Sequence, residues 1–98
     1  MEKVKDELAL ELEIPKPKMS KVIMLNDDYT AMEFVVDILR IVFSKNTNEA
    51  ENIMLKIHNE GSGICGVYPY DIAQTKAKIA RDKSKEAGFP LRIVVEDE

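Results

Sequence analysis

Cysteine and histidine each occur once in this 98-residue chain, and that scarcity excludes a good deal. Cys65 alone cannot close an internal disulfide. Cys65 and His58 together would leave a zinc site to be completed by carboxylates, an unusual donor set, so no metal or other cofactor is expected. A long apolar run is also missing, and nothing approaches the roughly 20 residues of a membrane span. The N-terminal stretch carries Asp6, Glu7, Glu11 and Glu13 where an export signal would carry basic and apolar regions, so a cytosolic location is expected. Positive charge is in deficit: 14 Lys and Arg stand against 18 Asp and Glu, a formal net charge of −4. That is the wrong sign for neutralising phosphates, so nucleic acid is not an expected partner, and with no run of spanning length neither is a membrane. The single basic run, Lys76, Lys78, Arg81, Lys83 and Lys85, is interleaved with alanines on an expected helix and reads as a solvated face.

What is present describes one ordinary globular domain, with 45% hydrophobic and 33% charged residues. Residues 1–17 stand apart as an N-terminal extension to a core of 18–98. Leu8, Leu10, Leu12 and Ile14 alternate in it before Pro15-Lys16-Pro17 closes it. Composition favours a mobile tail there; the alternation would also suit a strand added to a sheet edge elsewhere.

The run Val22-Ile23-Met24-Leu25 predicts a strand buried on both faces or lying at a sheet centre, stopped by Asn26-Asp27-Asp28. Thr30-Ala31-Met32-Glu33 has the spacing of a capping box and predicts a helix to about Phe43. Val35, Ile38, Leu39 and Val42 form its apolar face, widened by Phe34 and Ile41. Asn46 and Glu49 predict a second capped helix with Ala50, Ile53, Met54, Ile57 and His58 on one stripe, ended by Gly61. Gly61-Ser62-Gly63 lacks the lysine of a phosphate loop and reads as a turn. Ile64 to Tyr68 predicts a strand, with Pro69 as the first position of a third helix. That helix carries a small-residue stripe of Ala73, Ala77, Ala80 and Ala87 beside Ile72 and Ile79, and Gly88 and Pro90 end it. A last strand alternates Leu91, Ile93 and Val95 with Arg92, Val94 and Glu96. The expectation is an α+β fold of order β-α-α-β-α-β, a two-layer sandwich with three helices on one face of a three-stranded sheet.

Chemistry concentrates at residues 26–30, where two carboxylates stand at the start of a helix. Turn-forming and capping roles account for them; so does a receptor for an ammonium group, since carboxylates and an amide oxygen are acceptors. His58 is one turn beyond Met54, and Met32 opens the first helix beside the acidic turn. If the two helices form a hairpin, methionines and aliphatic residues would wall a cavity with one polar and one apolar end, and methionine adapts to several large side chains. Such a cavity suits a free amino terminus bearing a bulky first residue. Catalysis by Cys65 with His58 is poorly supported, because Cys65 falls within an expected strand as a small buried hydrophobe.

The segments Lys21-Val22-Ile23, Asn26-Asp27-Asp28-Tyr29-Thr30 and Met32-Glu33-Phe34-Val35, then Met54-Leu55, His58, Gly61, Ile64-Cys65-Gly66-Val67, Thr75-Lys76 and Pro90-Leu91, follow one another in a family's order and spacing. Over residues 18–96 the chain resembles ClpS, the bacterial N-end rule adaptor family of the ATP-dependent Clp protease. The resemblance implies three helices on a three-stranded sheet and a non-enzymatic adaptor. Such an adaptor would bind substrates beginning with Leu, Phe, Tyr or Trp and deliver them to a ClpA-type unfoldase for proteolysis by ClpP. It implies α-amino binding by Asn26, Asp27 and His58, and a side-chain pocket of Asp28, Thr30, Met32, Val35, Met54, Ile57 and Leu91, with Met32 excluding β-branched residues. It further implies an unfoldase-facing surface with Asp71 and Lys76, and a delivery role for residues 1–17. Two positions depart from the family pattern: Ala31 replaces a common proline, and Ile57 stands where some members have valine, one methylene smaller. A ribosomal-stalk-type interaction module would share the fold, but it would have no use for an ammonium receptor.

Overall fold

The computed structural model describes residues 17–98, so the expected extension over 1–17 lies, but for its last residue, outside the described residues. The elements are β1 (Met19–Leu25), α1 (Met32–Ile41), α2 (Thr47–Glu60), β2 (Ser62–Pro69), α3 (Tyr70–Glu86) and β3 (Arg92–Asp97). The sheet is antiparallel with order β2-β1-β3, and the helices form the second layer, giving the expected α+β sandwich. β1 is the centre strand. It is not buried on both faces: Ser20, Val22 and Met24 are buried while their neighbours are half-exposed, because the helices cover one side only. Cys65 is the extra residue where the β1–β2 register shifts, and it is fully buried. Burial pushes its thiol up to about 12, the nearby Lys45 charge opposing this, so it behaves as the small hydrophobe expected.

α1 differs from its sequence reading in three ways. It ends at Ile41, with Val42 as C-cap, although Val42 and Phe43 still pack into the core. Ile41 is 68% exposed and does not widen the apolar face. The capping box at Thr30 does not form: the helix starts one residue later, with Ala31 as N-cap and no side-chain cap bond, and the Thr30 hydroxyl turns back to donate to Asp27 Oδ2. α2, by contrast, has the full box. Asn46 accepts from the Glu49 amide at 2.8 Å, and Glu49 accepts from the Asn46 amide at 3.1 Å. Gly61 ends it at φ 92°, a left-handed value that glycine adopts without the Cβ penalty.

β2 begins two residues earlier than expected. Ser62 and Gly63 are not a turn but pair with Leu25 and Met24. The reason for glycine at 63 is close approach, since a Cβ there would lie 2.8 Å from Ile57 Cγ1. The missing side chain lets α2 settle onto β2, with Ile57 buried between them.

In α3, Pro69 is the N-cap, its ψ of 146° being extended, and not the first helical residue. Ala73, Ala77 and Ala80 are fully buried against the sheet. The stripe continues through Ser84, whose hydroxyl donates to Ala80 O at 2.8 Å, while Ala87 lies beyond the helix and is exposed. Ile72 and Ile79 stay largely exposed. The basic run is only partly a solvated face. Arg81 donates Nε and Nη2 to Ile93 O at 2.9 and 2.7 Å, tying α3 to β3. Lys76 Nζ donates to Val42 O at 2.9 Å and stands 5.2 Å from the Tyr68 ring centroid, tying α3 to the end of α1 and to β2. Lys78 pairs with Asp82 at the surface.

Candidate functional site

β1 runs directly into Asn26, whose amide donates to Gly61 O at 2.9 Å. That bond joins the acidic turn to the end of α2, so residues 26–28 and His58, 30 positions apart in sequence, face one cavity of about 190 Å³. Asn26, Asp27, Asp28, Thr30 and His58 line its polar end. Met32 and Val35 from α1, Met54 and Ile57 from α2, and Leu91 ahead of β3 line its apolar part. Val35, Ile57 and Leu91 are buried, and Met32 is 44% exposed. Asn26, Asp28 and His58 are exposed, so the cavity runs from an exposed polar mouth to a buried apolar floor. Its lining contains neither lysine nor arginine.

Leu25 also lines the cavity, and the sequence reading missed it. Its position as the last apolar residue before Asn26 was the available signal; it was read only as part of the strand run 22–25. Asp71 and Lys76 stand away from the cavity on α3. Asp71 is exposed in the first turn, Lys76 is engaged as described, and the two lie about 140° apart around the helix, so they form no single stripe.

Asp27 is the best-held acid of the group. Its Oδ1 accepts from the Tyr29 and Thr30 amides at 2.8 and 2.7 Å, and its Oδ2 accepts from the Thr30 hydroxyl at 2.7 Å. Desolvation pushes its carboxyl up, but the Thr30 hydroxyl and the two amides outweigh that and hold it below the ordinary value. A depressed folded value contributes stability above the unfolded pKa that is lost only as pH falls through the folded one, so Asp27 is ionised at neutral pH. Among the described residues no group of three or more His, Cys, Asp or Glu could hold a metal ion. Chemically, the polar end offers acceptors and a fixed negative charge, and the apolar floor offers room for a hydrocarbon group.

Comparison with known proteins gives the same direction. The family model described as ATP-dependent Clp protease adaptor protein ClpS matches residues 15–94. The ClpS adapter protein of Wolinella succinogenes is 50% identical over 91 residues, covering 93% of this chain and 89% of that one. The Helicobacter pylori (strain J99) protein is 54% identical over 85 residues, covering 87% and 93%. The solved structure of Agrobacterium tumefaciens ClpS2 bound to L-phenylalaninamide superposes with a TM-score of 0.82 at 47% identity, covering 85% of this chain and all of that one. With a family match over most of its length and relatives at half identity, the chain belongs to the ClpS family of ATP-dependent Clp protease adaptor proteins.

Proposed function

We propose that this protein recognises the free α-amino group and bulky first side chain of N-degron substrates and delivers them to a ClpA-type AAA+ unfoldase for proteolysis by ClpP. The observation that carries the reading is the cavity itself: an acceptor-lined mouth with no lysine or arginine, continuous with an apolar floor. L-phenylalaninamide, the ligand of the A. tumefaciens ClpS2 structure, has the matching chemistry of a free amine beside a benzyl group. In this reading Asn26, Asp27 and His58 take the ammonium group, directly or through water. Met32, Val35, Met54, Ile57 and Leu91 enclose the side chain, with Asp28 and Thr30 at the mouth. The protein performs no bond chemistry of its own and acts in the cytoplasm; no described helix is long and apolar enough to cross a membrane.

A titration with peptides that differ only in their first residue tests the reading. Leu, Phe and Tyr are expected to bind, Trp more weakly because of the extra methylene of Ile57, and Val and Ile to be rejected. Equal affinity for a glycine-initiated peptide would end the proposal. Met32, at the exposed rim, sets the exclusion of branched side chains. Met32→Ala is expected to strengthen Val- and Ile-peptide binding by roughly 1–3 kcal/mol, the usual worth of a methyl or methylene in a pocket; unchanged rejection would remove Met32 from that role. Residues 1–17 serve in delivery. Their deletion is expected to spare peptide binding and unfoldase docking and to slow degradation of a bound substrate; undiminished degradation would show the segment to be idle.

A further inference from the structure

We propose that Thr30 is a positioning residue for ammonium recognition: its hydroxyl clasps the Asp27 carboxylate and leaves it a single acceptor position for ligand. The inference rests on the proposed α-amino reading of the cavity and adds a residue role to it. An ionised carboxylate has about four lone-pair sites. Oδ1 spends both of its sites on the Tyr29 and Thr30 amides, and Oδ2 spends one on the Thr30 hydroxyl. One site on Oδ2 remains, and its direction is fixed because all three donors come from the two residues at 29 and 30. Asp27 therefore takes one ammonium N–H in a set orientation, which leaves the other two donors to Asn26 and His58.

The clasp does a second thing. Ala31 occupies a position where proline would stiffen the loop, and α1 starts there without a side-chain cap. The three bonds to Asp27 close the turn just ahead of it. Thr30 takes no helix-capping role: the N-cap is Ala31, and the Thr30 hydroxyl faces back to Asp27 Oδ2 at 2.7 Å. The other ionisable groups sharing the cavity are Asp28 from the same turn and His58 from α2; Leu91, the residue contributed from beside β3, carries no charge.

The experiment uses the full chain with Thr30→Val, which keeps the volume and removes the hydroxyl, and Thr30→Ser, which keeps the hydroxyl. Each is titrated with a Phe-initiated peptide bearing a free or an acetylated terminus, and the Asp27 carboxyl carbon is followed by NMR against pH in the ligand-free protein. Thr30→Val is expected to weaken free-amine binding roughly 3- to 10-fold, the net worth of one hydrogen bond, with acetylated binding unmoved. The Asp27 midpoint is expected to rise towards the ordinary carboxylate range, and Thr30→Ser to restore both readouts. Equal weakening of both peptides with an unmoved Asp27 midpoint would make Thr30 mere pocket wall and overturn the clasp. If the unaltered protein shows no preference for the free amine, the α-amino reading falls and the clasp falls with it. If that preference is present and Thr30→Val leaves it intact, the clasp alone is wrong.

Discussion

Removing the charge of Asp27 is expected to weaken binding of a free-amine peptide roughly 30- to several-hundred-fold, and acetylating the peptide is expected to do about the same to the unaltered protein. A free α-amino group ordinarily titrates at about pH 7.7–8.0, so it is largely cationic at neutral pH and offers three donors. Asp27 is ionised there, for the reasons given by its three hydrogen bonds. Acetylation removes the charge and two donors and leaves a partly desolvated carboxylate without its partner, a loss of about 2–4 kcal/mol. That is the lower part of the range for buried pairs, because Asp27 is only half-buried. The choice of substitution matters. Asp27→Ala would also release the Tyr29 and Thr30 amides and loosen the turn, whereas Asp27→Asn keeps a carbonyl oxygen for both amides. Its amide nitrogen can donate to the Thr30 hydroxyl, so the loop stays closed and only the charge is lost. Crossing Asp27→Asn with acetylation makes a double-perturbation cycle. Losses that simply add, with no coupling between amine and carboxylate, would sink the ammonium receptor even if the peptides bound well.

Charge reversal at Lys76 is expected to destabilise the fold by about 2–3 kcal/mol, lowering Tm by roughly 10–20 °C for a domain of this size. Lys76 donates to the carbonyl of Val42, the C-cap of α1, where helical carbonyls lack intrahelical partners and the helix dipole favours a cation. It also stands over the Tyr68 ring. A glutamate there would set a carboxylate against a carbonyl oxygen and an electron-rich ring. Lys76→Met, which retains the apolar stem and drops the charge, should lose about half as much. Thermal melts of the three proteins check this; a Lys76→Glu melt within a few degrees of the parent would show that the contact carries no stability. The family resemblance implies an unfoldase-facing role for Lys76, and impaired docking of Lys76→Glu would confound partner contact with fold. Asp71, whose residue is exposed, gives the cleaner probe: Asp71→Lys is expected to reduce unfoldase docking while melt and peptide affinity hold.

The element order was legible because it is written in local periods: the alanines at 73, 77 and 80, the Asn46–Glu49 box and the apolar run of β1 each announce themselves over a few residues. The cavity is different. Its parts come from residues 25–35, 54–58 and 91, and no period joins them. The residues at 26–30, taken alone, favoured turn-forming and capping roles over an ammonium receptor; the resemblance supplied the rest of the grouping. Thr30 was misread because one hydroxyl had two uses within reach, and sequence spacing scores both alike. Only the short contact to Asp27 separates them. Lys76 and Arg81 looked solvated because periodicity locates a lysine or arginine Cα and says nothing of where a long flexible side chain ends. Ile41 was assigned to the apolar face by type, yet the helix stops there and its side chain turns to solvent.

The residue that follows the N-terminal extension and Lys18 is Met19, the first of the sheet's centre strand. Tension carried along the extension would therefore enter the domain in line with β1. Its seven register pairs with β2 and six with β3 lie side by side along that line. They share the load and must give way together in shear, where an edge strand peeled from its end would release its pairs one at a time. A pull through the N-terminus would thus meet the domain at a strand held along both of its edges.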